Sequence, residues 1–95
     1  MKITGIQRLE DCLDGSRVYS YQFDRPWTRE SILQLSALGK LDYFADFPRP
    51  FFRIRASGGL QIKGVEGLDY CRVVLPRSQR DDFPKTLDEL LASRA

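Results

Sequence analysis

Ninety-five residues, 42% hydrophobic and 29% charged, suit one small globular domain spanning residues 1–95, with enough apolar material for its own core. Fifteen Lys and Arg against thirteen Asp and Glu leave a net charge of +2, too small by itself to imply nucleic acid or membrane. The absence of histidine removes the usual neutral-pH general base and the commonest metal ligand, which argues against Ser-His, Cys-His and zinc-hydrolase chemistry.

No apolar run of signal or membrane length follows Met1-Lys2, so the expected location is the cytoplasm, without a membrane partner. Cys12 and Cys71 do not have the spacing of a redox pair, zinc knuckle or disulfide framework, and are read as reduced thiols dispensable for folding.

In chain order, Ile6 to Leu13 and Ser16 to Phe23 flank Asp14-Gly15, the dipeptide of a two-residue hairpin turn. In that register Leu9 and Leu13 share a face with Val18 and Ser20, and Ile6 and Cys12 share the other with Tyr19, Tyr21 and Phe23. Both faces mix polar and apolar groups, so the pattern does not say which one meets the core.

Thr28 then caps a helix over about residues 29–38, with Ile32, Leu35 and Leu38 on one stripe beside Leu33 and Ala37, and Gly39 at its end. Trp27 is placed to fold back on the first turn as a core anchor. The segment from Leu41 to Phe52 gathers five aromatics around Pro48 and Pro50 with neither helical nor strand periodicity, and is read as a structured connection.

Residues 51–56, 60–65 and 69–75 read as an antiparallel meander. A three-residue turn at Ser57-Gly58-Gly59 sets Ile54 opposite Ile62 and Arg53 opposite Lys63, and a two-residue turn at Glu66-Gly67 sets Ile62 opposite Cys71 and Lys63 opposite Tyr70. Alternation then puts Phe52, Ile54, Leu60, Ile62, Cys71, Val73 and Leu75 on one face. Arg53, Arg55, Gln61, Lys63, Tyr70 and Arg72 fall on the other, with Val65, Leu68 and Val74. Pro76 ends the last strand, and Thr86-Leu87-Asp88-Glu89 resembles a capping box opening a short helix at about 87–93 with Leu87, Leu90 and Leu91 on its apolar side. The whole is an α+β fold in two layers, β-β-α-β-β-β-α, with the first helix over the meander and the placement of the first hairpin left open.

Two candidate sites emerge. Arg53, Arg55, Lys63 and Arg72, with Tyr70, form a basic face to which these three strands add no carboxylate. The cross-strand pair Arg53 and Lys63 costs about 0.2–1 kcal/mol, a reason to suspect an anionic ligand or nucleic acid; the plainer alternative is a solvated face balanced by acids from another element. Tyr43, Phe44, Phe47 and Phe51 form a candidate surface for a protein partner or homodimer, against the plainer role of a lid on the core.

The pairs Asp42/Asp46 and Asp81/Asp82 lack the ligand set of a calcium loop, and Gly58, Gly59, Gly64 and Gly67 are explained by turns and a strand rather than a phosphate loop. No catalytic residue, metal or cofactor is assigned. The leading expectation is a small non-catalytic binding or accessory protein acting through a protein partner or self-association. Next comes a binder of anionic ligand or nucleic acid through the basic face, although no RNP, KH, helix-turn-helix or zinc-finger pattern is present; last is an enzyme working without His or metal.

Overall fold

Alternating side chains dictate most of what the computed structural model shows, over described residues 1–11, 13, 15–77 and 82–92: strands β1 (Ile3–Asp11), β2 (Arg17–Phe23), β3 (Lys40–Phe44), β4 (Phe51–Arg55), β5 (Gln61–Val65) and β6 (Tyr70–Leu75). They form one antiparallel sheet in the order β1-β2-β6-β5-β4-β3, and helices α1 (Arg29–Gln34) and α2 (Phe83–Ala92) add the apolar layer that packs on it. The α+β class, the antiparallel meander and its covering helix are as the pattern implies. All seven residues assigned to the inner face of the meander are buried. Among the described residues no helix is long and apolar enough to cross a membrane.

The first hairpin joins the meander through β2, which lies against β6 with Tyr19 opposite Val73 and Tyr21 opposite Cys71. This settles the inner face of β2 as Tyr19, Tyr21 and Phe23. The register differs from a two-residue Asp14-Gly15 turn, however. Asp11 pairs with Arg17, and irregularities between Ile3 and Gly5 and between Arg8 and Glu10 each shift the pairing. Cys12 and Asp14 lie outside the described residues.

The turn at Glu66-Gly67 is present, closed by Leu68 N donating to Val65 O at 3.2 Å, with Gly67 at φ 92°. The register beyond it is nonetheless two residues from expectation: Ile62 faces Val73, and Lys63 faces Arg72 rather than Tyr70. Leu68 and Asp69 are the cause. Their carbonyls accept from Trp27 N at 2.8 Å and Phe23 N at 2.7 Å, so pairing of β6 with β5 starts later. A shift of two preserves the faces, so every inward residue stays inward.

A further strand, β3, lies within the segment expected to be a connection, pairing Lys40 with Arg55 through Phe44 with Phe51. Its alternation is real, with Leu41 and Tyr43 packed on the core side, but the outward Phe44 and the following prolines disguise it. As an edge strand of five residues it needs a partner on one side only.

The helix expected over 29–38 is α1 followed by a tighter 3-10 turn at Leu35–Ala37. Thr28 Oγ1 accepts from Ser31 N at 3.2 Å while Ser31 Oγ accepts from Thr28 N at 2.9 Å, a reciprocal cap. Gly39 serves a close approach: a Cβ there would stand 2.5 Å from the Arg55 carbonyl oxygen. Trp27 is buried, edge-on to Phe23 and Phe52 with both centroids at 5.0 Å, and its Nε1 donates to Tyr70 O at 3.2 Å.

The last helix starts at Phe83, earlier than the Thr86 pattern implies, because Phe83 supplies a buried ring against Tyr21 and Pro84 sits in the first turn, where no intrahelical N–H bond is lost. Phe83, Leu87 and Leu91 form its buried stripe. Asp88 Oδ1 accepts from Ile3 N at 2.8 Å, tying the helix to β1. Cys71 is a buried free thiol whose pKa burial raises; Asp81 and residues 93–95 lie outside the described residues.

Candidate ligand-binding face of the sheet

With the buried core on one side of the sheet, alternation turns a second set of side chains the other way, and the register lines them up across strands. The central row runs Gln7, Ser20, Arg72, Lys63, Arg53, Asp42, one residue from each of the six strands. Arg72, Lys63 and Arg53 are therefore direct cross-strand neighbours, each about 4.8 Å from the next along the row. The expected Arg53–Lys63 juxtaposition is present, and Arg72 extends it.

Asp42, from the strand that sequence patterning missed, partly compensates the row. Its Oδ2 takes Arg53 Nη2 at 3.1 Å and Arg55 Nη2 at 3.2 Å. The hydrogen bond from Arg53, with the nearby Arg55 charge, holds the Asp42 carboxyl below the usual aspartate range. The contribution of Asp42 to stability is therefore fully present above the unfolded value of about 3.9 and is lost as pH falls from there through the lowered folded value. Among the described residues, neither Lys63 nor Arg72 is ion-paired.

The adjacent row on the same face is aromatic and apolar. Phe44 pairs with Phe51 and Phe51 with Val65, and one step past the Gly64–Cys71 pair Tyr70 comes beside Val65. Phe44 and Phe51 stack with centroids at 4.5 Å and an interplanar angle of 24°, and Phe47 leans on Phe51 at 5.2 Å. The rings stay open to solvent, with Phe44 36%, Phe51 38%, Tyr70 46% and Phe47 53% exposed. Of the four rings singled out as a partner surface, these three phenylalanines cluster. Tyr43 points to the core side, and its hydroxyl hydrogen-bonds the Glu66 carboxylate, which raises the Tyr43 pKa.

Two shallow grooves flank β5. One, of about 420 Å³, is lined by Phe44, Phe51, Arg53, Lys63 and Val65; the other, of about 250 Å³, by Lys63, Val65, Leu68, Tyr70 and Arg72. The basic residues and the three clustered phenylalanines thus form one surface, without Tyr43, a union that sequence spacing concealed because Phe44 and Asp42 come from β3. Their signal was the alternation of Lys40, Asp42 and Phe44 against Leu41 and Tyr43.

Among the described residues, the surface sets the cations Arg53, Lys63 and Arg72 beside the rings Phe44, Phe51 and Tyr70. Among the described residues no cluster of three or more His, Cys, Asp or Glu could hold a metal ion. The strongly shifted Tyr21 is pushed up mainly by burial and lies in the core, away from this face. No protein-family model matches the chain, and comparison with curated proteins and with solved structures returns no match, so the reading of function rests on this surface alone.

Proposed function

We propose that this is a non-catalytic binding domain whose open sheet face takes an anionic partner. The observation that supports it is the row Arg53, Lys63, Arg72, in which like charges stand opposite one another and Asp42 answers only the outer end. A sheet face selected only for solubility has no need of that arrangement, since mixed signs avoid the repulsion. Self-association through this face is disfavoured by symmetry, because a twofold contact sets the patch against itself and brings a second set of cations toward the first. The aromatic corner then serves the same partner as the cations.

Retention on phosphocellulose in a salt gradient tests the proposal. Lys63→Ala with Arg72→Ala should elute at clearly lower salt than Lys2→Ala with Lys85→Ala, which removes the same charge from exposed positions elsewhere. Asp42→Asn should move elution the opposite way, because it releases Arg53 and Arg55 from their carboxylate. Equal shifts for the two double variants would mean that only net charge matters and that the face is merely solvated.

A further inference from the structure

We propose that the anionic partner is single-stranded nucleic acid, with bases stacked on Phe51, Phe44 and Tyr70 and phosphates running along Arg53, Lys63 and Arg72. This rests on the preceding reading and names the partner of the same face. Phe51 and Arg53 are two residues apart on one strand, and Tyr70 and Arg72 two apart on another, so the ring row and the cation row run parallel about 7 Å apart. Each groove beside β5 combines aromatic surface with two cations, and both share Lys63. That is the layout of two successive base sites with one common phosphate contact. The stem of Val65 separates them.

The backbone favours this occupant over an acidic peptide. Strands β4, β5 and β6 each have neighbours on both sides, so their main-chain groups are engaged in the sheet and the face offers side chains alone. An extended peptide draws affinity from main-chain hydrogen bonds at a sheet edge, whereas a single strand of nucleic acid needs only rings for its bases and cations for its phosphates. A duplex keeps its bases stacked on one another and would leave the ring row idle.

Fluorescence anisotropy with a short labelled oligouridine, an abasic sugar-phosphate oligomer of equal length, the corresponding duplex and a poly-glutamate peptide tests this. Oligouridine should bind tightest. Tyr70→Ala and, separately, Phe51→Ala should each weaken it at least about fivefold and leave the abasic oligomer unchanged, with unfolding midpoints confirming intact folds. Lys63→Ala should weaken both oligomers and lower the salt slope by about 1. Equal affinity for oligouridine and the abasic oligomer, or preference for the duplex or for poly-glutamate, would overturn the single-strand assignment while leaving an anion-binding face. Failure to bind any of the four would overturn both.

Discussion

Trp27→Ala is expected to lower the unfolding free energy by about 3–5 kcal/mol, the usual cost of truncating a large buried aromatic. The indole is 1% exposed and sits between Phe23 and Phe52, so its removal leaves a void bordered by two rings that would both have to move to fill it. The lost N–H also leaves the Tyr70 carbonyl without its indole donor. Urea unfolding followed by far-ultraviolet circular dichroism gives the loss directly, and Trp27→Phe, which keeps a ring but not the N–H, should cost markedly less. Since domains of this size are stable by about 5–15 kcal/mol, a loss of that size removes a large share of the total and should lower the unfolding midpoint well below that of the native chain. A loss under about 1 kcal/mol would show that the stack does not anchor α1 and the loop after β5.

Gly64→Ala should also be damaging, by about 1–3 kcal/mol through overpacking. Gly64 is on β5 opposite Phe52 and Cys71, and a Cβ there would stand 2.5 Å from Phe52 Cζ and 3.3 Å from Cys71 Cβ. The Phe52 ring cannot swing away, because Trp27 is on it. Trimming that ring should relieve the clash: Phe52→Leu in the Gly64→Ala background should cost less than the sum of the single changes, measured as a double-mutant cycle. Strict additivity would mean that the added methyl finds room elsewhere.

These residues show what the sequence reveals and what it hides. The inner face of the meander was legible because strand alternation survives a register error of two, and the Glu66-Gly67 turn was legible from its glycine. The error itself was not. It comes from Leu68 and Asp69 bonding to residues some forty positions earlier, a tertiary demand that no local turn rule contains. Gly39 could be located at the end of a helix, but its purpose is the neighbouring strand's backbone. At the candidate surface, Arg53, Lys63 and Arg72 could be assigned to one face from alternation. Their joining to Phe44 and Phe51, and their partial neutralisation by Asp42, required β3, whose pattern the aromatic and proline content obscured.

The order of strands has a consequence for how the molecule assembles. Strands β3 to β6 are neighbours in chain as in space, whereas the seam between β2 and β6 joins Arg17 to Leu75, and 75 − 17 is a separation of 58 residues. Closing that loop carries an entropic penalty that the meander's short turns avoid, so the seam is expected to form late in folding and to open early. Native-state hydrogen exchange should therefore show the amides of β1 exchanging through smaller openings than those of β5, and the reverse order would contradict this. Arg53, Lys63 and Arg72 all belong to the locally wound half, so the cationic row is assembled by the part of the chain that forms without waiting for its N-terminal hairpin.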